Sequence, residues 1–177
     1  MNFSRLAPLL AVFFAACMPP AFIQLEPYQP VAPAKPWNEP RPRLHLDRVE
    51  DQAGMAENLA KGGSMAFEPP LAEALKQAFK IELERLGILA PGPKDADAFL
   101  DVAATAADVA FNPAQSPFQG LKIKGSARMQ LTLTLKDRDG ASLWTGDAKG
   151  SARVKEYSLK VLFPKLMNSA LVDAMGK

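Results

Sequence analysis

The chain has 177 residues, a formal net charge of +2 and a hydrophobic fraction of 48%. Near-balanced charge excludes the strongly basic footprint of a nucleic-acid binder, and the single cysteine excludes an intramolecular disulfide. The single histidine, His45, excludes His-rich metal sites and any Ser/His/Asp triad not built on it.

Residues 1–16 have the layout of an export signal. Arg5 supplies the positive charge of a short leading region, Leu6 to Phe14 form an almost wholly apolar stretch, and Ala15-Ala16 are small residues suited to cleavage. The stretch is shorter than the roughly 20 apolar residues that cross a bilayer as a helix. Phe14-Ala15-Ala16-Cys17 then resembles the lipobox of bacterial lipoproteins, with Phe14 where Leu is usual. The resemblance implies that the Cys17 sulfur accepts a diacylglycerol, chemistry that needs a thiolate nucleophile. It also implies a membrane-anchored protein outside the cytoplasm. Met18, rather than Asp, follows the cysteine, which by analogy with enteric sorting implies the outer membrane, with the domain facing the periplasm.

Residues 17–42 are expected to be the lipidated cysteine and a tether. Eight of the sixteen prolines fall between Pro19 and Pro42. Proline lacks an amide donor and fixes φ, so this stretch is expected to be an extended spacer rather than helix or central strand. Phe22, Tyr28 and Trp37 are expected to dock loosely on the domain or the headgroup layer. Residues 43–177 suit one compact domain.

Within that domain Leu44-His45-Leu46 begins a short strand, and Ser64 to Phe67 could form another. Leu71, Leu75, Phe79, Leu83 and Leu86 recur at four- and three-residue spacing, the apolar stripe of a helix, with Pro69-Pro70 before it and Gly87 as its C-terminal cap. Glu82 lies close to that stripe, with Arg85 three positions on as its expected ion-pair partner. Three strands follow. Leu100, Val102, Ala104 and Ala106 share one face of the first. In the second, Leu121, Ile123, Ala127, Met129, Leu131, Leu133 and Leu135 alternate with polar residues, which predicts a long strand with one solvated face. Asp137-Arg138-Asp139-Gly140 is the reversal. The return strand carries Trp144, Gly146, Ala148, Gly150, Ala152 and Val154 inward, small enough to let a helix approach closely. A last helix contains Leu166, Ala170, Leu171 and Ala174, with Pro164 near its start. The order β-α-β-β-β-α predicts an α+β fold: an antiparallel sheet of about four strands with two helices packed on one face.

The opening Leu44-His45-Leu46 to Asp51 segment, the helix Leu75-x₃-Phe79-x₃-Leu83-x₃-Gly87-Ile88, the long hairpin ending in Trp144 and the terminal helix together resemble the YajG-like bacterial lipoproteins. More loosely, they are similar to the auxiliary lipoproteins of envelope ABC transporters, with LptE-like assembly factors as the alternative. The first resemblance implies a non-enzymatic accessory module for an envelope complex or transporter, with a protein partner. The alternative implies a protein that binds lipid or lipopolysaccharide.

No catalytic constellation, cofactor site or metal site emerges from the residues. Asp137 and Asp139 resemble a fragment of a metal loop, but the EF-hand pattern does not continue, and turn chemistry accounts for them. One pattern could carry binding. The outward sheet face collects Lys122, Lys124, Arg128 and Lys136 from one strand and Lys149 and Arg153 from the next, opposed by pattern only by Asp101 and Asp147. Such a face attracts anionic lipid, lipopolysaccharide or an acidic protein, although solubility alone also produces charge on an open sheet face.

Overall fold

A computed structural model describes residues 21–30, 41–54, 65–114, 122–156 and 159–175. Cys17, Trp37 and most of the proline-rich stretch lie outside the described residues. The elements are strands β1 (Ala21–Gln24), β2 (Leu44–Asp51) and β3 (Met65–Glu68), helix α1 (Leu71–Arg85), strands β4 (Ala98–Ala114), β5 (Lys122–Lys136) and β6 (Ser142–Glu156), and helix α2 (Leu159–Met175).

The main sheet has four strands in the order β2-β4-β5-β6, and β1 pairs with β3 in a separate two-stranded sheet. β4-β5-β6 is the expected antiparallel meander, but β2 lies parallel to β4, so the sheet is mixed rather than wholly antiparallel. The reason is the connection. Parallel neighbours require a long crossover, and α1 sits within the one that joins β2 to β4. The two long hairpins give the sheet two ends. The turn end holds the β5–β6 reversal, and at the far end β4 gives way to β5 and β6 to α2.

Helix α1 begins after Pro70 and buries Leu71, Leu75, Ala78, Phe79 and Leu83, the stripe that its sequence spacing defines. Burying each large side chain contributes about 1.5–3 kcal/mol before entropic costs. The helix stops because Gly87 takes φ +67°. The Ile88 amide donates to the Leu83 carbonyl and the Gly87 amide to the Glu84 carbonyl, both at 2.9 Å, which is the paired closure of a Schellman motif. Leu44 then donates to the Ile88 carbonyl at 2.7 Å, which places the C-terminal end of α1 at the turn end of the sheet.

Helix α2 runs back along β6. A Cβ built on Gly150 would lie 1.9 Å from the Ala170 carbonyl oxygen, and one on Gly125 would lie 2.4 Å from Leu166 Cδ1. The small inward residues of β6 therefore let helix backbone touch sheet backbone, as their pattern predicts. Asp173 of α2 accepts from the Ser151 amide at 2.9 Å, which occupies a donor on the outer edge of β6. The inner sheet face supplies Leu100, Val102, Ala104, Ala127, Met129, Leu131 and Ala152 to the core, which both helices complete.

Two features differ from the sequence pattern. Thr105 is an extra residue between the pairs Ala104↔Leu131 and Ala106↔Gln130, a bulge that reverses the numbering of inward and outward positions along β4. Ala106 is consequently exposed on the outer face, whereas Ala107 and Val109 pack toward the core. Trp144, expected inward, is 53% exposed because α2 ends against Gly150, short of the turn end; its ring instead covers Gly146.

The segment expected to be spacer also contributes structure. Ala21–Gln24 pairs in parallel with Met65–Glu68, and Leu25 donates to the Glu68 carbonyl at 2.9 Å. Tyr28 is buried, and its hydroxyl donates to Glu82 Oε1 at 2.6 Å.

Candidate functional site: a basic sheet face

The outer face of β5 and β6 follows from period-two alternation. Lys124, Ser126, Arg128 and Gln130 face out from β5, and Lys149, Ser151, Arg153 and Lys155 from β6. Cross-strand pairing sets them in rows: Gln130 opposite Lys149, Arg128 opposite Ser151, Ser126 opposite Arg153, and Lys124 opposite Lys155. Successive rows stand about 7 Å apart along a strand, and neighbouring strands about 4.8 Å apart. Between the long cations, the small side chains of Ala110, Ser126 and Ser151 leave an open trough of about 490 Å³ that is also lined by Asp108, Arg128 and Arg153.

Four of the sequence-derived residues, Lys124, Arg128, Lys149 and Arg153, therefore gather on the outer face between the middle of the sheet and its far end. Lys136 does not join them. It lies at the turn end opposite Ser142, half-buried and ion-paired with Asp101. Lys122 opens β5 at the far end, with its side chain outside the described residues.

Sequence reasoning missed two members. Lys155 continues the outward alternation of β6 one step past Arg153, beyond Val154, the last position that the alternation was read to. Asp108 stands opposite Arg128 on the same face, placed there by the Thr105 bulge, which unbroken alternation could not reveal. Asp147 is occupied by neighbours, accepting from Thr132 at 2.8 Å and from Gln130 at 3.1 Å.

The other candidates are structural. The Asp137 carboxylate accepts from the Asp139 and Ala141 amides at 2.9 and 2.8 Å, while Gly140 takes φ +84°. These are turn bonds. No cluster of three or more His, Cys, Asp or Glu side chains with metal-binding geometry exists among the described residues. The His45 ring meets Phe99 edge-on at 5.8 Å. Glu82 is buried but fully engaged, with Tyr28 on one oxygen and Arg85 Nε on the other at 2.7 Å. Burial first, and then the hydrogen bond to Glu82, raises the Tyr28 hydroxyl well above the usual tyrosine range.

Fold and face together define an α+β domain with both helices on one side of the sheet and an open, basic surface on the other. No family model matches the chain, and no characterised relative matches it by sequence. Among solved structures it is similar to a crystal structure from Helicobacter pylori, provisionally described as a neuraminyllactose-binding hemagglutinin homolog. The two share 16% identity over 87% of this chain and 89% of that one, with a TM-score of 0.48. At that identity and score the likeness carries no argument about function.

Proposed function

We propose that this chain is a lipid-anchored lipoprotein of the bacterial envelope. It serves as a non-enzymatic accessory module of the YajG-like kind, sits at the outer membrane and faces the periplasm. The observation that carries the proposal is Cys17, the sole cysteine, placed directly after an export-type apolar stretch and Ala15-Ala16. A lone thiol in an oxidising compartment is a liability, whereas an acylated one is an anchor. An accessory role is supported by Leu143 and Trp144. They are the exposed large hydrophobics among the described residues, adjacent at the turn end of the sheet and 58% and 53% exposed. Exposed tryptophan is a frequent anchor of protein interfaces.

The test is acylation itself. Cells given an alkyne-tagged fatty acid should label the native chain and not Cys17→Ser, and the variant should leave the membrane fraction. Equal labelling of both would refute the proposal.

The second reading, a lipid- or lipopolysaccharide-binding assembly factor, draws support from the basic face alone. Its other requirement is an apolar groove between helix and sheet; among the described residues Leu25, Leu71, Leu75 and Met167 line a cavity of about 30 Å³ there. That is room for one water and not for an acyl chain.

A further inference from the structure

We propose that the far end of the basic sheet face rests on the anionic headgroups of the bilayer that holds Cys17, so the domain lies against its own membrane. The inference rests on the lipid-anchored reading above and adds an orientation and a ligand class to it.

The chain between anchor and fold is short. Only Met18, Pro19 and Pro20 separate Cys17 from β1, which starts at Ala21. Four residue steps span at most about 14 Å when fully extended, so Ala21 stays close to the headgroups of an acylated chain.

The course of the chain beside α1 gives the position of Ala21. The C-terminal end of α1 is fixed at the turn end of the sheet by Leu44 and Ile88, so its N-terminal end points to the far end. Residues 25 to 28 follow α1 in that same sense, from Leu25 beside Leu71 and Leu75 to Tyr28 on Glu82. Tracing backward from Leu25, which lies level with Met129 at the middle of β5, Ala21 lies beyond the first turn of α1, toward the far end. Helix α2 agrees: it starts at the far end just after Glu156, and Pro164, near its start, lines one cavity with Leu25 and Glu26.

Charge favours the same placement. On the outer face from Gln130 to the far end, Lys124, Arg128, Lys149, Arg153 and Lys155 stand with one described carboxylate, Asp108. Lys124 and Lys155 are direct cross-strand partners. Like charges opposite one another destabilise a sheet, and solubility does not require that placement. A layer of lipid phosphates between and around them offsets the repulsion, and a basic patch beside a lipid anchor is the second signal that stable membrane attachment uses.

The test uses the full acylated chain reconstituted in vesicles of phosphatidylglycerol and phosphatidylethanolamine. Because acylation occupies Cys17, a fluorophore can be placed at Ser126→Cys or at Ser142→Cys, about 34 Å apart along the strands. The readout is quenching by headgroup-labelled lipid. Quenching at position 126 should exceed that at 142 by about tenfold. It should fall toward the level at 142 in phosphatidylcholine vesicles, in high salt, and in the triple variant Lys124→Glu, Arg153→Glu, Lys155→Glu. Equal quenching at the two sites, or no response to lipid charge, overturns the orientation and leaves the face to another occupant such as an acidic protein. The intact mass of the same preparation separates the two claims. An unacylated chain refutes the anchor and the orientation together, whereas an acylated chain with equal quenching refutes the orientation alone.

Discussion

The Tyr28 hydroxyl donates to Glu82 Oε1 at 2.6 Å across 54 positions of sequence, and this one bond ties the proline-rich N-terminal segment to the first core helix. Glu82 is 8% exposed, so each of its oxygens needs a donor; Arg85 serves the other. Tyr28→Phe keeps the ring and removes the donor. An unsatisfied buried carboxylate oxygen costs about 1–3 kcal/mol, and denaturant unfolding of the variant should show a loss of that size.

The same pair has a pH signature. The folded state holds the Tyr28 proton more tightly than the unfolded chain, whose tyrosine titrates near 10. Its contribution is therefore complete below about pH 10 and is lost as pH climbs above that value. Unfolding measured from pH 8 to 11.5 should show stability falling in the upper part of that range. In Tyr28→Phe the fall should be shallower, and parallel curves for the two proteins would contradict the assignment.

Gly150 lies against the backbone of α2, where a Cβ would stand 1.9 Å from the Ala170 carbonyl and 2.6 Å from the Ala174 amide. Backbone cannot rotate aside as a side chain can. Gly150→Ala should therefore destabilise by about 1–3 kcal/mol through overpacking. Ser151→Ala, one position away and facing outward, should stay within about 0.5 kcal/mol. Thermal melts of the pair would separate helix contact from a general effect of altering β6.

At Gly87 the strain is local. Nothing lies closer than 3.6 Å to a Cβ placed there, yet φ is +67°. Gly87→Ala should cost about 1–2 kcal/mol from left-handed backbone alone, and Gly87→Asn less, because asparagine tolerates that region. A reversed order in chemical denaturation would mean that the Schellman closure is not what sets the helix end.

If Leu143 and Trp144 are partner contacts, a photo-reactive residue at 143 should yield one discrete protein adduct in intact envelopes. The same residue at the exposed outward position Ser151 should not. Leu143→Ser should remove retention of the partner while shifting stability by no more than about 0.5 kcal/mol. A diffuse smear of adducts from both sites would count against a defined interface.

Much of this was legible in the sequence. The alternation of β5, the apolar stripe of α1, the stops at Gly87 and Gly140 and the Glu82–Arg85 pair all stand in the fold where their spacing puts them. Other features left no trace in the pattern. Alternation gives a strand its faces but not its direction, so the parallel pairing of β2 followed only from the crossover through α1. The bulge at Thr105 lies in an alanine-rich run, Ala103 to Ala107, where inward and outward residues look alike. Trp144 looked buried because alternation does not say how far a helix extends over a sheet. Tyr28 was hidden by its neighbours, since prolines on both sides mark a spacer unless a partner 54 positions away is known. The basic face was visible in outline, but its separation from Lys136 depended on the Asp101 ion pair and on distance along the strand.

Thr105 gives β4 a phase slip: up to Ala104 the even-numbered side chains are inward, and from Ala107 the odd-numbered ones are. Losing a residue elsewhere in the strand would turn one half inside out and carry Asp101 or Asp108 toward the core. Losing Thr105 would only close the bulge, with both faces still in step. It is a place where this strand can change length by one residue and keep its two surfaces, the buried and the basic, in register.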